Sequence, residues 1–257
     1  MKAFYAPFIV IVFVLYVTGC AGRGGEKIDQ AQAVNDTVSV PDTGYTGIKQ
    51  YMSGDRIIKE VTFENGVRQG VMKSFYTDGR VRQTFWYENG LRQDTAKWLY
   101  EDGKVFRSTP YKNDTIDGIQ QQYYKSGRLK AKLEYKKGYR TLSFQEFTPD
   151  GKLVENYPGL VVNTQDNYKS NGTYKITLSL SDKSTKVKYF RGDLTNGVYD
   201  TTKVFKINTS NGVGNLVLKK SASNQANHVG VIAEIFTSFG NNLLVYKKID
   251  LPYNDIK

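Results

Sequence analysis

The side chains that most often carry out chemistry are scarce in this sequence. It contains one cysteine, Cys20, and one histidine, His228, among 257 residues. A single cysteine cannot form an internal disulfide, and one cysteine with one histidine cannot supply a structural zinc site. His228 lies in a turn-like stretch, which favours an ordinary turn or strand-edge histidine. We therefore predict no metal and no cofactor.

The carboxylates offer one weak candidate for catalysis. Glu234 is the one glutamate after residue 155 and lies in an apolar, strand-like stretch. A glycosidase would need a second carboxylate facing it. Asp193 and Asp200 are the candidates, but both lie in turn-like sequence. The chain also lacks a phosphate-binding glycine loop, a Gly-x-Ser-x-Gly elbow and an acidic calcium loop. We predict a protein without catalytic activity and keep a glycan-acting enzyme as an alternative.

The surroundings of Cys20 indicate an export signal. Lys2 precedes an apolar run at 8–17, and a small residue, Gly19, stands before the cysteine. The run is too short for a stable membrane-spanning helix. Residues 17–20 resemble the lipobox of bacterial lipoproteins, with valine in the place of the more usual leucine. The resemblance implies cleavage of the signal peptide 1–19 and acylation of Cys20. An ordinary secretory signal with an incidental cysteine is the other interpretation.

Two or three acyl chains on Cys20 would suffice for stable membrane anchoring. Residues 20–46 are small and polar with no apolar period, which predicts a flexible tether. We therefore expect a protein anchored in the bacterial cell envelope, with the outer membrane favoured.

Downstream of the tether the sequence repeats itself every 24 residues. Two interleaved series of turns have an aromatic residue followed by Asn-Gly, Asp-Gly or a related pair. The first series ends at Gly66, Gly90, Asp114 and Gly138, and the second at Gly79, Gly103, Gly127 and Gly151. Asn-Gly and Asp-Gly are the strongest short signals for β-hairpins, because both central residues of a type I′ turn need a positive φ. The spacing predicts an antiparallel meander with eight hairpins. The last two residues of each turn motif form the tip of its hairpin.

The aromatic-x-Asn/Asp-Gly pattern at this period resembles the bacterial variant of MORN repeats. The resemblance covers about residues 56–155. It implies a repeat architecture, and many relatives are described as antitoxins of toxin–antitoxin systems. It carries no catalytic residues onto this sequence.

Two-residue turns would pair Tyr76 with Val81 and Tyr87 with Arg92, and this register assigns the two faces of the sheet. One face is the predicted core, with stacked sugars on its aromatic residues as an alternative. It collects Met72, Tyr76, Val81, Phe85, Tyr87, Ala96, Trp98, Tyr100, Val105, Tyr111, Tyr124, Leu129, Leu133 and Tyr135. The opposite face is basic, and the same register places Arg82 directly opposite Lys97. We predict that this face binds an anionic group through Arg82, Lys97, Lys130, Phe75 and Tyr123; a solvated basic face is the alternative.

After Pro158 the period stops but alternation of apolar and polar residues continues. Strands are predicted at 174–180, 186–193, 203–208, 215–221, 229–237 and 243–250, which suggests a β-sandwich. It could instead cap the repeat array. The whole chain is thus predicted to be all-β, with an elongated meander at 47–156 followed by a C-terminal β domain at 157–257.

The net charge of +11 favours anionic partners. Nucleic acid is excluded as a partner because export separates the protein from the nucleic acids of the cell. The leading hypothesis is a lipid-anchored binding or scaffold protein whose repeat sheet presents a surface to a protein, a glycan or a lipid. An antitoxin-like protein that neutralises a partner is the second hypothesis, which an export signal disfavours if the toxin is cytosolic.

Overall fold

The computed structural model describes residues 44–222 and 227–257. Cys20, the signal peptide and most of the tether lie outside the described residues, so lipidation of Cys20 stays a prediction. Within the described ranges, no helix is long and apolar enough to cross a membrane.

The described chain is almost entirely β-structure, as the alternation and the turns predict. Ten strands follow one another through the repeats: β1 (Gly47–Ser53), β2 (Arg56–Glu64), β3 (Val67–Phe75), β4 (Val81–Glu88), β5 (Leu91–Leu99), β6 (Val105–Lys112), β7 (Thr115–Ile116), β8 (Gly118–Tyr123), β9 (Leu129–Lys136) and β10 (Tyr139–Glu146). They form an antiparallel meander in the order of the sequence, with β7 as a short branch on β6. The fold class is therefore confirmed for the repeats.

The first series of turns has the predicted two-residue geometry. Asn65 and Gly66 both have positive φ, and so do Asn113 and Asp114 at the one position without glycine. Tyr87 pairs with Arg92 as expected. The Gly66 amide donates to the Tyr45 carbonyl, and the later tips of this series repeat that bond to the preceding repeat. From Gly90 onward, each turn of this series is therefore hydrogen-bonded to the backbone that directly follows the preceding turn.

The second series has a different turn from the predicted one. Asp78 does not have a positive φ, whereas Gly79 does. The Tyr76 amide donates to the Arg80 carbonyl, which closes a three-residue loop with glycine in the left-handed conformation. Phe75, not Tyr76, pairs with Val81. The predicted Tyr76–Val81 pair is wrong because this turn contains one residue more than a type I′ hairpin.

Nine further strands and one four-residue helix complete the fold: β11 (Leu160–Asn167), α1 (Tyr168–Asn171), β12 (Thr173–Leu180), β13 (Val187–Arg191), β14 (Val198–Tyr199), β15 (Phe205–Ile207), β16 (Thr209–Ser210), β17 (Val213–Lys219), β18 (His228–Phe236) and β19 (Asn242–Asp250). Two four-stranded sheets result, in the orders β11-β12-β17-β16 and β15-β13-β18-β19.

These two sheets pack face to face over an apolar core, which makes this region a β-sandwich. Alternate residues of β12, from Tyr174 to Leu180, meet alternate residues of β18, from Val229 to Ile235. Gly214 of β17 permits the closest approach, because a Cβ there would lie 2.7 Å from the Tyr189 ring. The predicted sandwich is confirmed in architecture. We did not predict β11, whose pattern of half-buried then exposed residues lacks clear alternation.

The meander and the sandwich are joined through β10. This strand pairs with the short β14, which extends the repeat sheet by one strand from the C-terminal region. Tyr199 of β14 packs with Ile232 and Leu244 on the outer side of the β13–β18–β19 sheet. The domain boundary near residue 157, and independent folding of residues 157–257, stay predictions.

Candidate ligand-binding face of the repeat sheet

One face of the meander is clearly more buried than the other, and we call it the inner face. Paired residues of neighbouring strands share a face. All the buried residues on β2–β6, including Val61, Met72, Tyr87 and Ala96, lie on the face that the sequence assigned as core. That assignment is confirmed for these residues, but it is wrong beside the second-series turns, where Val81 pairs with Phe75 and Leu129 pairs with Tyr123, two residues assigned to the opposite face. The inner face nevertheless contains buried polar side chains, among them Gln83 and Gln120, so it is not an ordinary apolar core.

Tyrosines of the second turn series tie successive repeats together. The Tyr100 hydroxyl donates to the Tyr123 carbonyl at 3.0 Å, and the Tyr124 hydroxyl donates to the Phe147 carbonyl at 2.7 Å. Tyr76 makes the equivalent bond to Leu99. These tyrosines are therefore structural, because each hydroxyl bonds the backbone one repeat further along the chain.

Tyrosines of the first series are instead covered by arginines. The guanidinium carbon of Arg68 lies 4.6 Å from the Tyr87 ring centroid, and that of Arg92 lies 4.8 Å from the Tyr111 ring centroid. Arg140 lies 5.8 Å from the ring centroid of Tyr135. Such cation–π contacts are worth about 0.5–2 kcal/mol each, depending on desolvation. The repeat thus builds an alternating ladder of tyrosine and arginine on the inner face.

Asp114, the exception in the glycine series, has a specific role in this ladder. Its carboxylate accepts hydrogen bonds from the Arg92 amide at 2.9 Å and from Arg92 Nε at 2.8 Å. Burial alone would raise the pKa of Asp114, but the bonds from Arg92 outweigh burial and hold that pKa below its usual value. The side chain that replaces glycine therefore neutralises and orients the arginine of its own ladder step.

Arg107 differs from the other arginines of the inner face. Its guanidinium carbon lies 4.1 Å from the Trp98 ring centroid, yet no carboxylate and no hydrogen-bond acceptor contacts it within residues 44–222 and 227–257. Its Nε is buried without a partner, as is that of Arg140, but Arg140 Nη2 donates a hydrogen bond to the Asn242 carbonyl at 3.1 Å. Burial lowers the pKa of Arg107, against smaller opposing effects from Tyr111 and Tyr135. A charged, partly desolvated guanidinium thus lies on this face uncompensated.

The five residues predicted to bind an anion do not form the predicted arrangement. Thr84, not Arg82, pairs with Lys97, because Asp94 takes a positive φ and β5 bulges there. The predicted Arg82–Lys97 pair is therefore wrong, and so is the repulsion inferred from it. Arg82 and Lys97 are exposed.

The aromatic partners in that prediction also change. Tyr123 pairs with Leu129, and Lys130 Nζ lies 5.6 Å from the ring centroid of Tyr124 rather than beside Tyr123. Phe75 pairs with Val81. Ligand binding by these five residues stays a prediction, without the geometry that motivated it.

The candidate carboxylates of the C-terminal region have separate partners. Glu234 accepts a hydrogen bond from Asn242 at 2.8 Å. Asp193 contacts His228 Nε2 at 3.1 Å and accepts a hydrogen bond from Tyr246 at 2.7 Å. Asp200 accepts hydrogen bonds from its neighbour Thr202. None of these contacts joins two of the three carboxylates.

Glu146 is a fully buried carboxylate that sequence reasoning missed. It lies at the end of β10 and accepts hydrogen bonds from Thr237 and Asn241, both at 2.7 Å, and from Tyr157 at 3.2 Å. Burial and the nearby Glu146 carboxylate raise the pKa of Tyr157. The donors come from the sandwich and its connection, so Glu146 fastens the last repeat to the C-terminal region.

The arginines of the inner face were also missed, although a signal for them exists. Arg68, Arg92 and Arg140 each stand two residues after a first-series tip, and Ile116 takes the same position in the remaining repeat. That spacing of 24 residues was readable. Arg107 has no such signal, because its position matters only once β6 is paired with β5.

Comparison with known families agrees with this architecture over the centre of the meander. Residues 95–113 and 116–137 match the MORN repeat variant family. The two matches lie between β5 and β9 and include Arg107 and Tyr111, whereas Asp114 falls between them. No curated protein matches the chain.

Proposed function

We propose that this chain is a lipid-anchored binding protein of the bacterial cell envelope, without catalytic activity, whose inner face receives a glycan. MORN repeats are often binding or scaffold modules. The observation that carries the proposal is the inner face itself: aromatic rings and arginines recur there in one continuous sheet. Half-buried aromatic rings offer flat apolar surface for sugar rings, and arginines offer hydrogen-bond donors. The export signal and Cys20 support the location.

Binding is tested with the full-length protein and immobilised envelope polymers, both neutral and acidic, with lipid vesicles as a separate arm. Tyr111→Leu keeps apolar volume on the inner face but removes the ring and hydroxyl, so we expect weaker retention on the bound polymer. Tyr139→Leu is the matched control, because Tyr139 is 38% exposed at a hairpin tip. Retention that ignores Tyr111→Leu, or retention by vesicles alone, would contradict a glycan-binding inner face.

The anchor is tested separately. Wild type should incorporate radiolabelled palmitate and sediment with membranes, whereas Cys20→Ser should remain unlabelled, as an unprocessed precursor or a soluble product. Equal labelling of the two forms would show that Cys20 is not the acylated residue. The antitoxin-like role stays a prediction from the resemblance, and no contact described above favours it.

A further inference from the structure

Two buried polar groups without partners lie close together on β6, on the inner face. Four buried side-chain atoms of the described residues lack a hydrogen-bond partner, and two of them, Arg107 Nε and Thr109 Oγ1, belong to β6. Thr109 is only 2% exposed. Two residues apart on a strand, Arg107 and Thr109 share a face about 7 Å apart along the chain. An unsatisfied buried polar group is costly. Both atoms are too buried for a ligand to reach, but Arg107 as a whole is only partly buried, so the end of its guanidinium is the part that can bind one.

The surroundings of this pair are aromatic and lack counter-charge. The Arg107 guanidinium lies over the Trp98 ring and 5.9 Å from the Phe106 ring centroid. The phenols of Tyr111 and Tyr135 are close enough to interact with it electrostatically. Arg92, which covers Tyr111, is already bonded to Asp114. Of these two cations, Arg107 is the one whose charge has no carboxylate partner in the described part of the chain.

From this arrangement we infer that Arg107 is a carboxylate-binding site, which takes a uronic acid residue of an acidic polysaccharide. The inference rests on the proposed function, because it assigns the ligand class of the same inner face. The end of a guanidinium can hold a carboxylate through two parallel hydrogen bonds. Phosphate fits the same fork, so inorganic phosphate is the comparison probe that separates the two ligands.

The sugar ring explains the aromatic surroundings. Its apolar face can pack against half-buried rings, while the phenol groups of Tyr111 and Tyr135 can donate to its hydroxyls. The exposed basic residues of the opposite face, such as Arg82 and Lys97, have no comparable aromatic stacking among their described contacts. A carboxylate bound there would be held by solvated charges alone, whose attraction salt screens.

The protein contains two tryptophans, which makes the site directly observable. Trp86 is 40% exposed on the opposite face, and Trp86→Phe leaves Trp98 as the one fluorescent tryptophan. Tetragalacturonate should change Trp98 emission in a saturable way in this full-length variant. Maltotetraose and inorganic phosphate are the comparison probes, and neither should reproduce the change at equal concentration.

Three variants in the Trp86→Phe background locate the binding. Arg107→Gln should weaken tetragalacturonate binding at least about tenfold, as expected for loss of a charge-assisted bidentate pair. Arg107→Lys keeps the positive charge but loses the paired donors of the guanidinium, so it should bind more weakly than the Trp86→Phe parent. Arg56→Gln is the matched control, because Arg56 is exposed at the start of β2, and it should bind as the Trp86→Phe parent does. Thermal melting checks that each variant is folded.

Equal binding by Arg107→Gln and its Trp86→Phe parent would overturn the inference, and so would loss of binding by Arg56→Gln alone. A response to phosphate but not to tetragalacturonate would overturn the carboxylate assignment. If tetragalacturonate fails while a neutral polymer still binds through Tyr111, only this inference is lost and the proposed function survives. Binding of no polymer at all would overturn both.

Discussion

The meander and the sandwich bury different kinds of side chain, although both are antiparallel β-structure. The sandwich core is apolar, with Ile176, Leu178 and Val231 fully buried. The inner face of the meander buries Gln83, Thr109 and Gln120 beside its apolar residues. A sandwich is stabilised mainly by one central core. A repeat sheet depends on its turns and on contacts between neighbouring repeats, which leaves its face available for polar, functional groups.

This difference predicts that the most damaging substitutions lie in the sandwich. Leu178→Ala removes a fully buried side chain from the core of the sandwich, and we expect a loss of about 3 kcal/mol in the free energy of unfolding. Denaturant unfolding followed by near-UV circular dichroism measures it. Val217→Ala on a neighbouring strand, where Val217 is 48% exposed, is the control and should cost under about 1 kcal/mol. Similar costs for the two variants would contradict a stabilising core at Leu178.

In the meander the sensitive positions should be turns rather than core residues. Gly90 has a φ of +82° at a first-series tip. A Cβ there meets only an ordinary contact, Val67 Cγ1 at 3.5 Å, so the penalty comes from backbone conformation. Gly90→Val should cost about 2 kcal/mol, because a β-branched residue strongly disfavours this φ.

The matched variant Gly90→Asn separates conformation from the loss of glycine as such. Asparagine tolerates positive φ, so it should cost under about 1 kcal/mol. Chemical denaturation of both variants provides the measurement. If asparagine and valine are equally damaging, the turn conformation is not what stabilises the repeat at this tip.

The same contrast explains what the sequence could and could not predict. Hairpin tips and the repeat period follow from local turn chemistry, so Asn65-Gly66 and its equivalents are readable without a structure. The strand register was harder to predict, because bulges shift the pairing of neighbouring strands and few residues in the sequence indicate a bulge. Gly70, Asp94 and Gly118 all take positive φ inside the repeat strands at intervals of 24 residues. A glycine inside a strand often marks a bulge, so part of this signal was available.

Long-range features had no local signature. The β14 strand joins the repeat sheet from nearly 60 residues further along the chain, and Glu146 accepts hydrogen bonds from residues more than 90 positions away. Arg107 is unusual only because the residues paired with it, Trp98 and Gln122, include no acidic side chain. Contacts of this kind depend on the folded topology, which turn chemistry and alternation leave open.

The smallest effect expected in this comparison concerns the charge of Asp114 at a repeat tip. Asp114→Asn keeps a residue that accepts positive φ, and an amide oxygen can still receive the Arg92 amide. Only the charge is lost. Because both side chains are about one-third exposed, with 32% and 38% accessibility, the pair should contribute under about 1 kcal/mol at pH 7.

The pH dependence identifies this contribution. The pKa of Asp114 is lowered in the folded state, so its stabilisation is fully present above the unfolded pKa of about 3.9 and is lost as pH falls through the folded value. Wild type should therefore be slightly more stable than Asp114→Asn at pH 7 and equal to it once the carboxylate is protonated in both states. Denaturant unfolding at several pH values measures the difference.

The double variant Arg92→Gln/Asp114→Asn is the control. It should be as stable as Arg92→Gln alone, because Asp114 has lost its charged partner in both. A constant difference at all pH values would mean that Asp114 acts through turn geometry and not through its charge.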